Sequence, residues 1–258
     1  MANPFPIKIR LTGLQNFYLL SGKALIDLFR KPFFGKSLLE QMHHLGTGSF
    51  FLVSMVSFFI GLVLSLQLAA HLAPLGLNAY TGKAVGLSVI REIGPLAVAL
   101  VFAARASSEI TSGKEAGMLR RQAERIGYLD RGPVMRLVKP RVLGALIMLP
   151  VLTIIGDFLA LLGGYIMAVL KGIQSSAFYW LQVKGVLNLE SLVLGLSKPL
   201  LFGYLIACIG CYFGISTQGD RKGPGKRATD AVVFSMISVV VTDFMVTRLL
   251  LYMAGATG

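Results

Sequence analysis

Charged side chains are scarce in this sequence: they make up 14% of its 258 residues, and only 12 are Asp or Glu. Soluble domains carry about 25%, so water is excluded as the solvent for most of the chain. Histidine occurs three times and cysteine twice. Neither an H-E-x-x-H motif nor a Cys/His cluster is present, which argues against a metal centre. Cys208 and Cys211 form a C-x-x-C inside an apolar segment. A reactive thiolate needs electropositive, partly wet surroundings, so these read instead as small residues for helix packing. A phosphate-cradling G-x-x-x-x-G-K-[ST] loop is also missing. Gly35-Lys36-Ser37 has its tail, but Arg30 stands where the first glycine belongs, and the stretch from Gly219 to Lys226 is one residue too long. Any nucleotide that powers this protein therefore binds another chain. No Ser/His or paired-Asp arrangement suggests an intramembrane enzyme, and neither a catalytic residue nor a cofactor is expected.

What is abundant is apolar surface: 55% of residues are hydrophobic and the mean hydropathy is +0.71. Five runs are long enough to cross a hydrocarbon core of roughly 30 Å. They are Phe50–Leu72, Ala84–Ala104, Val142–Leu170, Ser191–Gly219 and Ala231–Met253. Ahead of them, Phe17, Leu20, Ala24, Leu28 and Phe33–Phe34 recur at roughly helical spacing with basic residues between. That pattern predicts an amphipathic helix lying in the interfacial plane. Lys8, Arg10, Lys23, Arg30 and Lys31 interrupt any signal-peptide-like apolar core. The expected fold is an all-α integral membrane protein: an N-terminal interfacial helix region over 1–46, then a five-helix transmembrane domain over 47–258.

A net charge of +13 invites a nucleic-acid reading, but the distribution removes it. Of the 25 Lys and Arg residues, 19 fall before the first span, between Arg105 and Arg141, or in the 220–227 loop. The loops on the other side hold only Lys83, Lys171 and Lys184. By the positive-inside rule the N-terminus and the two basic loops are cytoplasmic and the C-terminus is external. Within the longer basic loop, Gly113–Asp130 has Ala116, Leu119, Ala123 and Ile126 on one helical face, with Lys114, Arg121 and Arg125 elsewhere. Such a helix either lies on anionic headgroups or docks in a groove of a cytoplasmic partner.

Charges inside spans are costly and point to function. Arg91 and Glu92 precede Gly94-Pro95, where the proline frees the Arg91 carbonyl. Pro199 does the same for Gly195, next to Lys198. At 1.5 Å per residue, Arg91 and Lys198 each lie roughly 12 Å from the outer side, and Asp157 and Asp243 roughly 24 Å from the inner side. All of these groups fall in one layer of the outer half, with Lys198 and Asp243 the expected partners. An ion pair that only locks helices is the competing structural reading. A proton-coupled secondary transporter using Lys198, Asp243 or Glu92 is the alternative function. The internal repeat such transporters usually show is not visible.

Several segments resemble the MlaE-type permease family. They are GLVLSLQ (61–67), VIREIGPLAVALVFAARASSEI (89–110), LVKPRVLGALIMLPVLT (137–153) and ATDAVVFSMISVVVTDFMVT (228–247). The resemblance implies a homodimer of five-helix subunits, the permease of an ABC system in the bacterial inner membrane. It also implies an ATPase subunit, a STAS-domain subunit and a periplasmic MCE-domain ring as partners. The implied substrate is a glycerophospholipid moved between inner and outer membranes in support of outer-membrane lipid asymmetry. Residues matching the family's lipid cavity are Leu64, Gln67, Leu72 and Leu75, with Arg91, Glu92, Lys198 and Asp243 as its polar cluster. Gly113–Asp130 takes the place of the ATPase-coupling helix, with Leu119, Arg121, Arg125 and Ile126 as its expected contacts. Its GKEAGMLRRQAER stretch departs from the family's usual acidic and T-E-Q pattern there.

Overall fold

A computed structural model of the chain describes residues 7–28, 35–112, 117, 133–215 and 224–255. Among them every regular element is helical: α1 (Ile7–Leu28), α2 (Gly35–Leu72), α3 (Thr81–Ser88), α4 (Gly94–Ser112), α5 (Pro133–Leu170), α6 (Ser176–Val186), α7 (Leu189–Ile215) and α8 (Pro224–Gly255). Five helical stretches are long and apolar enough to cross a membrane, so the chain is an all-α multi-pass membrane protein. Each expected span falls on one of these stretches, and at most ends the helix outruns it; residues 216–219, the end of the fourth expected span, lie outside the described residues. Hydropathy marks where a helix enters lipid and not where it begins. Gln41, His43 and His44 are polar without breaking a helix, so α2 starts 15 residues before Phe50.

α2 buries Ser49, Val53, Ser57, Gly61, Ser65 and Ala69, one residue in every four. This is the ridge that packs into a neighbouring helix groove, and the neighbour is chiefly α5. The two backbones nearly touch. A Cβ at Gly61 would lie 1.8 Å from the Ala160 carbonyl oxygen, and one at Gly163 would lie 2.2 Å from that of Phe58. In lipid no hydrophobic effect pulls helices together, so close small-residue contact supplies the dispersion energy. α4 lies inside the bundle against α7 and α8. The Ser107 hydroxyl donates to Ser235 Oγ at 2.7 Å, and that of Thr111 to the Gly210 carbonyl at 3.2 Å. Phe102, Leu149, Leu152, Phe202 and Ile206 fill the centre. Cys208 and Cys211 are buried free thiols in the same core.

α1 joins this core. Leu20 and Ala24 are buried in it, the Tyr204 hydroxyl donates to the Ser21 carbonyl at 2.5 Å, and Phe17 meets Tyr212 edge to face at 5.7 Å. Leu19, Leu25 and Ile26 on its other side are exposed.

At the end away from the basic loops, α6 is an element absent from the sequence expectations. It buries Tyr179, Val183 and Val186 along one face. The Tyr179 hydroxyl donates to the Leu161 carbonyl at 3.2 Å, and burial pushes its phenol up, away from ionisation. Tyr165, Tyr179 and Trp180 cluster there, as aromatics do at membrane interfaces. Gln174 ties the preceding turn across by donating from Nε2 to the Asn78 and Ala79 carbonyls at 2.9 and 2.7 Å. The expected coupling helix at 113–130, with Leu119, Arg121, Arg125 and Ile126, lies outside the described residues apart from Gly117.

Candidate functional site

Between α3 and α4 the helix widens into a π-turn over Val89–Ile93. Pro95 has no N–H to offer the Arg91 carbonyl, and the Gly94 N–H reaches back five residues to Val89. One π-turn rotates the helix before it relative to the helix after it, and such bulges recur at functional sites. Here the turn carries both charges of the span, Arg91 and Glu92. It also needs glycine beside it, since a Cβ at Gly94 would lie 1.8 Å from Asp157 Oδ1 and 2.6 Å from the Val89 carbonyl oxygen.

Glu92 reaches a cluster shared by three helices. Lys198 of α7 donates through Nζ to Glu92 Oε2 and, at 2.8 Å, to Thr247 Oγ1 of α8. The Thr247 hydroxyl in turn donates to Glu92 Oε1 at 2.7 Å. Asp243 of α8 places Oδ1 3.0 Å from the ammonium, an ion-pair contact off the hydrogen-bond direction. Lys198 is thus ringed by oxygen and its side chain is 2% exposed, whereas that of Glu92 is 41% exposed. The cluster opens outward through a carboxylate and not through its lysine. Removing two acids and a base from water is tolerable in lipid because each is paired.

The layer expected from depth is therefore assembled: Lys198 and Asp243 pair, and Glu92 joins them. Arg91 turns aside, donating from Nε and Nη2 to Ser191 Oγ at 3.2 and 2.9 Å. Asp157 approaches the layer from α5 through Gly94. Of the apolar residues, Leu64 packs against the core beneath α6. Gln67 and Leu75 are exposed and Leu72 partly so. Sequence reasoning missed Thr247 and Ser191 as partners. Thr247 lies one helical turn after Asp243 on the same face, a spacing that was there to be read.

Thr247→Val keeps shape but removes a hydroxyl that accepts from Lys198 and donates to Glu92. Leaving buried polar groups short of a partner costs about 1–3 kcal/mol. The expected result is a lower unfolding temperature for the detergent-purified protein, with Thr247→Ser close to wild type. Equal melting of the valine variant and wild type would remove the hydroxyl from the network.

The profile of the permease MlaE family matches residues 38–249. A probable ABC transporter permease protein of Rickettsia conorii is 32% identical, over 92% of both chains. One of Rickettsia typhi is 31% identical, over 91% of this chain and 90% of its own. The intermembrane phospholipid transport system permease protein MlaE of Haemophilus influenzae is 29% identical over 92% of this chain and 98% of its own. With the family profile running from α2 to the end of the charged cluster on α8, the chain belongs to the MlaE permease family.

Proposed function

We propose that this protein is the membrane subunit of an ABC transporter that moves glycerophospholipids between inner and outer membranes, and so maintains outer-membrane lipid asymmetry. The observation that carries the reading is similarity along nearly the whole chain to a phospholipid-transport permease, joined to a paired charge cluster inside the membrane span. In this reading the protein lies in the inner membrane as a homodimer, N-terminus cytoplasmic and C-terminus periplasmic. It works with an ATPase subunit, a STAS-domain subunit and a periplasmic MCE-domain ring. The lipid cavity joins Leu64, Gln67, Leu72 and Leu75 to Arg91, Glu92, Lys198 and Asp243. Because Lys198 is enclosed, the groups that meet a lipid headgroup are Glu92 and Arg91. Hydrolysis of ATP belongs to the partner, and Gly113–Asp130 is the segment that docks on it.

Affinity purification of the tagged chain from its native membrane tests this directly. An ATPase and bound glycerophospholipid should co-purify. Leu119→Asp should release the ATPase while leaving the membrane domain intact, because burying one such side chain in a groove contributes roughly 1.5–3 kcal/mol. A protein that purifies without an ATPase and translocates protons in liposomes would establish the secondary-transporter alternative instead.

A further inference from the structure

Asp157 sits inside the bundle and takes no part in the charged cluster. Its Oδ1 atom is enclosed and has no hydrogen-bond partner among the described residues. That atom and the Val89 carbonyl oxygen both crowd the point that a Gly94 Cβ would occupy. Two acceptors held together with no donor between them repel, and an unpaired carboxylate is costly inside a membrane. Asp157 forms no ion pair among the described residues either. Beside the adjacent Gly156, α2 and α4 present Ser57, Val53 and Val98, and neither helix carries a titratable side chain at this depth. The π-turn presents Arg91 and Glu92, and α7 presents Lys198. Arg91 donates to Ser191, however, and Lys198 to Glu92 and Thr247. Lys83 of α3, with Tyr179 and Lys184 of α6, stands at the outer end, and the titratable residues of α1 lie at the basic end. On α5 itself the nearest titratable residue is Tyr165, about two turns on.

A proton resolves the conflict. The neutral acid is a donor, and the Val89 carbonyl, which already accepts from the Gly94 N–H, has a second lone pair to receive it. We propose that Asp157 is a proton-binding site: as the neutral acid it donates to the Val89 carbonyl and holds the π-turn in the register that brings Glu92 to Lys198. The turn is confined from its other side as well, because a Cβ at Gly195 of α7 would collide with the Ile90 carbonyl oxygen. Pressed between α5 and α7, the turn has one register while the acid keeps its proton. Deprotonation sets a carboxylate against the Val89 carbonyl. That weakens the bond that defines the π-turn, and Glu92 swings off Lys198. The proton is bound and not carried across the membrane. The inference stands on the geometry of the turn, independently of the transport reading.

Infrared difference spectroscopy on the full-length protein in nanodiscs tests the proton site directly. At neutral pH the wild type should show a carboxylic-acid C=O band, shifted in heavy water, that is lost in Asp157→Asn and fades in the wild type as pH rises. The folded protein keeps a proton that the unfolded chain releases, so its stability should fall as pH rises. Asparagine keeps a donor through Nδ2 at every pH. Asp157→Asn should therefore match the wild-type unfolding temperature at neutral pH, and the wild type should fall below it at alkaline pH. Asp157→Leu, similar in size but with no donor, should melt lower than Asp157→Asn throughout. A double-mutant cycle reads the link to the cluster. Asp157→Leu combined with Glu92→Gln should cost less than the two separate losses together, because each breaks the same arrangement. Identical neutral-pH spectra for wild type and Asp157→Asn, or equal melting of Asp157→Asn and Asp157→Leu, would overturn the proton site. Strictly additive losses would detach Asp157 from Glu92 and overturn its hold on the cluster.

Discussion

Replacing Lys198 with alanine is expected to abolish transport and to destabilise the membrane domain by about 3–5 kcal/mol, the cost of stranding buried charge. The geometry makes this position more severe than its neighbours. Lys198 alone faces Glu92, Asp243 and Thr247, so its loss leaves two carboxylates facing each other. Asp243→Ala leaves Lys198 still paired with Glu92 and should be milder. An exchange of Lys198→Asp with Asp243→Lys does not simply restore a strut, because the carboxylate introduced on α7 would face Glu92. The informative variant is neutral throughout: Lys198→Met with Glu92→Gln and Asp243→Asn. Replacing a whole buried network with groups of similar shape is often neutral for stability, so this triple variant should recover assembly and thermal stability. Transport should stay lost if Glu92 serves the lipid. Recovery of both, measured as lipid transfer in proteoliposomes carrying the full complex, would make the cluster a strut and nothing more.

Gly61→Ala is expected to lower the unfolding temperature clearly, and Gly61→Leu to prevent accumulation of folded protein. The obstacle is the Ala160 carbonyl, 1.8 Å from the position of the new Cβ. Backbone cannot swing aside as a long side chain does. The helices must separate, and overpacking of this kind costs about 1–3 kcal/mol or more. Gly22→Ala in α1 has nothing within 4 Å of its Cβ and serves as the matched control. Identical melting of Gly61→Ala, Gly22→Ala and wild type would show that the α2–α5 contact is looser than described.

How far the sequence could be read depended on which physical constraint was in play. Lipid forces long apolar runs, so the five spans were legible. Rise per residue converts loop distance into depth, so the charged layer and the Lys198–Asp243 pair were legible too. Depth says nothing about which faces meet around the bundle, and that is why Thr247 and Ser191 went unnoticed. Pro95 announced a disturbed helix, but the π register, which sets where Arg91 and Glu92 point, depends on close packing at Gly94. α6 was missed because 11 residues of mixed character outside the bilayer obey neither the spanning rule nor a strong apolar period. Its anchors, Tyr179 and Val183, show as a buried face only once the α3 and α5 surfaces are there to receive them.

The seating of α1 has a consequence for how the chain is made. Tyr204 and Ser21 meet across 183 residues, so α1 packs against a helix that is made much later. Until both α5 and α7 have entered the membrane, the α1 surface around Leu20 and Ala24 lacks its full seat. During most of synthesis, lipid must stand in for that missing wall. A first helix greasy on both sides can wait at the bilayer, where one with a polar outer face would need its seat at once. The apolar flank of Leu19, Leu25 and Ile26 thus fits a helix that enters early and docks late, closing the subunit only when its fourth span has arrived.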